Sequence, residues 1–201
     1  MTATLDALAL PRDAQDLLFR EARTVNAFTD EPVTDEQLRA VYDLVKWGPT
    51  AMNSQPLRIL FVRSQDAKAR LAPHMSEGNR AKTLAAPVTA VLAADTDFHE
   101  HLAKTFPHFA NAKAAFADDQ RRTEAAKTSA LLQVGYFIVG VRAAGLAAGP
   151  MSGFDQEGVR REFFADTNQL PLVIVNIGHP DHSGTHPRNP RLDHTDAIRT
   201  I

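Results

Sequence analysis

From Glu124 to Ala144 the chain carries its strongest helical signal. The apolar residues Leu131, Leu132, Val134, Tyr136, Phe137, Ile138, Val139 and Val141 run nearly all the way round that helix. A helix apolar on every side has to be buried on every side. In a chain of 201 residues this demands either a central core helix or a subunit interface, and the residues alone leave both open. Gly145 and Gly149 are read as closing the helix. Its most apolar part, Leu131 to Val141, is shorter than the roughly 20 residues needed to span a bilayer, so a soluble, membrane-free protein is expected.

Composition narrows the function classes. Hydrophobic residues make up 44% of the chain and charged residues 23%, enough for one good core and short for two, so residues 1–201 are read as a single domain. The net charge is -2, and no Lys/Arg run exceeds a pair such as Arg121-Arg122, which argues against nucleic acid as a partner. With no cysteine there is no disulfide, thiolate metal site or Cys nucleophile, as fits the cytoplasm. The N-terminal stretch MTATLDALALPRD lacks a basic leader, so no export is expected.

Read in order, residues 14–22 predict a first helix with Leu17, Leu18 and Phe19 facing inward. Thr34 and Gln37 form a capping box that opens an amphipathic helix over about 35–47, with Leu38, Val41, Tyr42 and Val45 on one face. Ile59-Leu60-Phe61-Val62 reads as a strand covered on both faces and central in its sheet. Asp66 to Met75 is helical; Gly78 and Asn79 break the chain before another helical stretch to Ala85. Val88 to Ala94 is a second buried strand and 95–117 is irregular or partly helical. Asp155 N-caps a helix carrying Val159, Phe163 and Phe164, and Leu172 to Ile177 is the third strand.

Several chemistries are weak in these residues. The pair His99 and His101 and the trio His179, His182 and His186 invite a metal, but without cysteine or an H-E-x-x-H helix no metal site is expected. Ser152 lacks the first glycine of a nucleophile elbow, and neither a dinucleotide fingerprint nor a P-loop occurs. What remains is three patches of short polar side chains and open backbone, at 23–26, 49–55 and 150–153, joined by Asn79, Lys82 and the tail arginines. Thr50, Asn53 and Gln55 can donate and accept at the edge of a flat heterocycle, and Gly149 and Gly153 let backbone N–H groups approach a ligand closely. The same stretches also suit ordinary polar connections that satisfy their own backbone.

Taken together, ARTVNAF, KWGPTAMNSQP, EGNRAKTLAAPV, GPMSGF, NIGHP and the late PRL resemble the FMN-dependent nitroreductase family over essentially the whole chain. KWGPT, TLAAPVTA, FPH and GPMSGFD further resemble the branch that contains the malonic semialdehyde reductase of pyrimidine degradation. The resemblance implies an α+β fold, a mainly antiparallel central sheet flanked by helices, and an intertwined homodimer with two FMN sites at its interface. It implies ping-pong hydride transfer from NADH or NADPH, and reduction of malonic semialdehyde to 3-hydroxypropionate. A broad nitro or quinone reductase and a flavin-binding storage or sensor protein are the alternatives.

The resemblance also assigns residues. Arg23, Thr24 and Arg191, with Arg188 beside them, fall where the family holds the ribityl phosphate. Pro49, Thr50, Ala51, Met52, Asn53 and Gln55 fall where one subunit lines the flavin. Asn79 and Lys82 match its pyrimidine edge, where a cation favours the reduced ring. Pro150, Met151, Ser152 and Gly153 match the loop whose backbone approaches N5, the atom that does the chemistry. Two positions depart from the pattern: Asn26 stands where many relatives have a basic residue, and Ser152 replaces an acidic one.

Overall fold

The computed structural model describes residues 8–184 and 187–201, so His186 lies outside the described residues. Helix α1 (Arg12–Gln15) runs into a wider π-turn over Asp16–Arg20. Leu17 and Phe19, expected to face inward, are exposed, because the wider turn rotates side chains off the spacing of an α-helix. The capping box is present: the Gln37 N–H donates to Thr34 Oγ1 at 3.2 Å, and the Thr34 N–H donates to Gln37 Oε1 at 2.8 Å. It opens α2 (Asp35–Val45), which buries Leu38, Val41 and Val45 and leaves Tyr42, expected beside them, exposed.

The chain continues through β1 (Leu57–Val62), α3 (Gln65–Leu71), α4 (Glu77–Ala85), β2 (Val88–Asp95), α5 (Leu102–Thr105), α6 (Asp119–Ala143), β3 (Ala147–Met151), α7 (Gln156–Phe163), β4 (Gln169–Gly178) and α8 (His194–Ala197). The strands form one antiparallel sheet in the order β1-β2-β4-β3. Every residue of β2 is buried. One face of the sheet packs on α2 and α6 through Val41, Val45, Val134, Phe137 and Val141. The other packs on α3 and α7 through Leu71, Met75, Val159 and Phe164. The 95–117 segment folds as short turns of helix, with Phe98 edge-on to Phe116 at 4.8 Å in a satellite core.

Three expectations are corrected. The strand at 57–62 lies at an edge, not the centre, and only Val62 is buried along it; an apolar run does not distinguish a strand with two neighbours from one with a single neighbour. Gly149 and Pro150, read as a loop, belong to β3, which makes 169–178 the fourth strand. Proline is tolerated there because β3 is the opposite edge, and Gly149 is required because a Cβ would sit 2.8 Å from the Val25 carbonyl oxygen. Gly78 and Asn79 do not break the chain; they lie in the first turns of α4, where the Asn79 N–H donates to the Ser76 carbonyl oxygen at 2.8 Å.

Helix α6 begins earlier than its apolar pattern, capped by Asp118 Oδ1, which accepts from the Arg121 N–H at 2.7 Å. Ala126, Ala130, Val134, Phe137 and Val141 are buried. Leu131, Leu132 and Tyr136 on the other side are 50%, 51% and 48% exposed. Within one chain, therefore, α6 is not buried on every side. No helix of the described residues is long and apolar enough to cross a membrane.

A Cβ at Gly140 would overlap Val45 Cγ1 where α6 crosses α2. Gly140→Ala should therefore lower stability by about 1–3 kcal/mol through overpacking, although alanine is about 1 kcal/mol the better helix former. Adding Val45→Ala should recover part of the loss, a coupling that denaturant titration of the single and double variants reads directly.

Lys68 is only 3% exposed, and its Nζ donates to the Ala86 carbonyl oxygen. Burial pushes its pKa below the ordinary lysine value, to which unfolding returns it at about 10.4. Between the lowered value and about 10.4 the unfolded chain holds more protons, so stability rises with pH across that window. Lys68→Met should flatten this alkaline rise in chemical denaturation followed against pH.

Candidate functional site

The polar turn after α2 is held in an unusual backbone. Met52, Asn53 and Gln55 have φ of 53°, 47° and 46°, in the left-handed region that side chains other than glycine disfavour. Each such residue costs about 1–3 kcal/mol and persists where surrounding contacts over-determine it. Here the Gln55 N–H donates to Thr50 Oγ1 at 3.2 Å, Gln55 Nε2 donates to Asn53 Oδ1 at 3.0 Å, and Asn53 Nδ2 donates to the Thr105 carbonyl oxygen at 2.8 Å. Helix α6 contributes Ser129, whose Oγ accepts from the Ala51 N–H at 3.4 Å. Pro49, Ala51 and Asn53 remain exposed, and Thr50 and Met52 half-buried.

At the opposite edge of the sheet, a second group gathers around the end of β3. The Gly153 carbonyl oxygen accepts from the Ser76 N–H at 3.0 Å, Ser76 Oγ at 2.8 Å and Asn79 Nδ2 at 2.9 Å. Three donors on one carbonyl fix the end of β3 and the residues after it against the start of α4. A Cβ on Gly153 would meet Ser76 Oγ at 2.6 Å. The Asn79 amide nitrogen is thus engaged by the loop. Lys82 Nζ donates to Asn26 Oδ1 at 3.4 Å, and the Val25 carbonyl lies over Gly149, so the 23–26 segment runs along the outside of β3. Ser152 is exposed, Pro150 half-buried and Met151 buried.

Next to this group a cavity of about 380 Å³ is lined by Arg23, Thr24, Arg142, Arg188 and Arg191, among others. Arg188 Nη2 donates to the Ala22 carbonyl oxygen at 3.2 Å and also to that of Arg20. Arg191 Nη1 donates to the carbonyl oxygens of Asn189 and Pro190 at 2.9 and 3.2 Å. Arg142 was not anticipated. Its Nη1 donates to the Leu18 carbonyl oxygen at 3.1 Å, while its buried Nε has no partner. Burial, and then the charge of Arg188, lower its pKa. Four guanidinium groups line one space, with no carboxylate among its described lining residues, a donor set suited to a multiply charged anion.

The structure thus brings Arg23, Thr24, Arg188 and Arg191 together, and beside them Asn26, Asn79, Lys82 and 150–153. The 49–55 turn stands apart from that assembly. Ser129, which touches the turn, and Arg142, which lines the cavity, are 13 positions apart on α6, about 20 Å at the rise of an α-helix. Ser76 and Ser129 were also missed by sequence reasoning, since a lone serine carries no signal; nor does Arg142, because a basic residue in the last turn of a helix is ordinary. Among the described residues no cluster of His, Asp or Glu is placed to hold a metal; His179 Nε2 lies 3.4 Å from Glu31 Oε1.

Comparison with known proteins adds lineage to this geometry. A sequence profile described as the nitroreductase family matches residues 19–179. A protein of Streptomyces coelicolor, provisionally named an NADH dehydrogenase/NAD(P)H nitroreductase, is 59% identical over 97% of this chain and all of its own length. One from Leptothrix cholodnii, with the same provisional name, is 51% identical over the full length of both. Among solved structures, a nitroreductase-type protein of Bacillus subtilis superposes with a TM-score of 0.83 at 23% identity, covering 92% of this chain and 97% of its own. A nitroreductase-type protein of Exiguobacterium sibiricum, solved in complex with FMN, superposes at 0.80 with 16% identity, covering 95% and 98%. At these identities the structural likeness is one of fold.

The arginine cavity predicts anion-linked stability. Inorganic phosphate at constant ionic strength should raise the thermal midpoint by about 2–4 °C for each kcal/mol of binding. Arg142→Met should remove most of that rise in a differential scanning measurement.

Proposed function

This chain belongs to the nitroreductase family, and on that footing we propose that it is a cytoplasmic FMN-dependent NAD(P)H oxidoreductase working by ping-pong hydride transfer, with residues 1–201 as one FMN-binding domain. The observation that carries this reading is the cavity of Arg23, Arg142, Arg188 and Arg191. A phosphate monoester carries a charge of about -1.5 to -2 near neutral pH, and a space lined by four guanidinium groups, of which Arg142 and Arg188 repel one another, suits it. FMN, when bound, supplies the hydride chemistry between the nicotinamide and the substrate.

The chain's own residues supply position and charge. Arg23, Thr24, Arg142, Arg188 and Arg191 hold the phosphate. Asn79 and Lys82 face the pyrimidine edge, and Lys82 donates to the neutral Asn26 amide rather than to a carboxylate. Pro150 and Met151 at the end of β3, with Ser152 and Gly153 after it, offer backbone groups at the reacting edge, and Ser76 and Asn79 hold Gly153 in place. Pro49, Thr50, Ala51, Met52, Asn53 and Gln55 form a turn braced by Ser129, which lies about 20 Å along α6 from Arg142, and in this reading a second copy of the chain contributes them. The exposed Leu131, Leu132 and Tyr136 of α6, with Trp47 at 80% exposure, supply an apolar surface suited to that homodimer.

For the substrate, the resemblance of KWGPT, TLAAPVTA, FPH and GPMSGFD to one branch of the family favours malonic semialdehyde, reduced to 3-hydroxypropionate in pyrimidine degradation. A broad nitro or quinone reductase is the second reading, favoured by the names of the relatives.

The purified protein should be yellow, with about one FMN per chain, and dimeric in sedimentation at nanomolar concentration. With NAD(P)H saturating, kcat/KM should be higher for malonic semialdehyde than for nitrofurazone or menadione, because a carbonyl needs positioning that a readily reduced nitroarene does not. A colourless protein that cannot be reconstituted with FMN would sink the flavin reading. Good turnover of nitroarenes with none of the semialdehyde would leave the broad reductase standing.

A further inference from the structure

Beside the 49–55 turn opens a second cavity, of about 490 Å³, whose described lining residues include Lys46, Asn53, Gln55, Arg58, His101 and Lys104 and no carboxylate. Lys46 and Arg58 are already neutralised from behind: Lys46 Nζ lies 2.6 Å from Asp43 Oδ1, and Arg58 Nη2 lies 2.6 Å from Asp95 Oδ2. Neither Asp43 nor Asp95 lines the cavity. The side chains of His101 and Lys104 have no hydrogen-bond or ion-pair partner among the described residues. They are three positions apart in a helical stretch and so share a face. That stretch is locked to the turn by the hydrogen bond from Asn53 Nδ2 to the Thr105 carbonyl oxygen at 2.8 Å.

We infer that this cavity is the anion-binding end of the substrate site, in which Lys104, assisted by His101, holds a carboxylate at the non-reacting end of the substrate and sets a preference for acidic over neutral substrates. The inference rests on the reading that the 49–55 turn lines the flavin. If it does, a substrate stacked on the ring beside Asn53 projects its far end into the space bounded by Asn53, Gln55 and Lys104. An unpaired ammonium there gains a charge-assisted hydrogen bond to a carboxylate, about twice as strong as a neutral one. Lys46 and Arg58 are occupied with their own carboxylates, which leaves the discrimination to Lys104. The inference concerns where the anion is held and not which acid is reduced, so it holds for any small carboxylate-bearing acceptor.

The test uses the FMN-loaded protein and matched probes. Without reductant, calorimetry compares benzoate with its neutral isostere benzamide; with NAD(P)H, kcat/KM compares 4-nitrobenzoate with 4-nitrobenzamide. Lys104 is exposed, so its variants should fold, and flavin content checks this. In Lys104→Gln the benzoate-to-benzamide affinity ratio and the kinetic ratio should both fall about ten-fold, mostly through KM. Lys104→Glu should lower both ratios further, and Lys104→Arg should restore most of them. Ratios that stay within two-fold of wild type in Lys104→Gln and Lys104→Glu, in protein that holds FMN and reduces both nitro compounds, overturn the inference and leave the flavin reading intact. A protein that cannot be loaded with FMN and reduces neither compound overturns both.

Discussion

The crossing of α6 over α2 and the sheet is the contact on which the rest of the molecule depends. Gly140 removes a side chain where Val45 must pass, and this lets one continuous helix serve both ends of the structure. Toward its N-terminal half, Ser129 braces the strained turn, and Gln133 Oε1 accepts from the Leu57 N–H at 3.0 Å where β1 begins. In its last turn, Arg142 enters the arginine cavity. A shift of α6 along its axis would disturb the turn, the edge strand and the anion site together, because dense interiors transmit displacement instead of absorbing it.

That rigidity accounts for the division of the polar groups into two sets. A helix of 25 residues is about 37 Å long and cannot fold back to bring its ends to one ligand. The chain invests backbone strain at Met52, Asn53 and Gln55 on a surface that is open in one copy. Strain of this kind is stable only where a framework over-determines it, and here Thr50, Thr105 and Ser129 provide that framework. The exposed apolar side of α6, at Leu131, Leu132 and Tyr136, lies between the two sets along the helix.

Much of the fold was legible where a local rule has a single physical cause. The Thr34 capping box, the Asp155 cap, whose Oδ1 accepts from the Gly158 N–H at 3.0 Å, and the fully buried β2 were each readable from neighbouring residues. What stayed hidden depended on distant partners. Gly149-Pro150 reads as a turn until the Val25 carbonyl that needs the glycine is known. Ile59 to Val62 reads as central until it is clear that only β2 pairs with it. Of the site, the resemblance supplied Arg23, Arg188 and Arg191, which the structure gathers, while Arg142 was concealed at a helix end where a cation is ordinary. Leu17 and Phe19 misled because the π-turn breaks the period on which their burial was inferred.

The arginine cavity sets like charge and burial against stability in this fold. Arg142 is partly desolvated, leaves Nε without a partner, and has the like charge of Arg188 as a neighbour. Each of these features disfavours the guanidinium in the empty protein. They are tolerable because carbonyl oxygens of Leu18, Arg20 and Ala22 accept from Arg142 and Arg188, tying the N-terminal π-turn and the 187–191 tail to the end of α6. The arginines therefore fasten these two chain segments to each other and to α6. An anion between Arg142 and Arg188 would relieve that repulsion, so the charges that fasten the π-turn to residues 187–191 would also respond to an anion held between them.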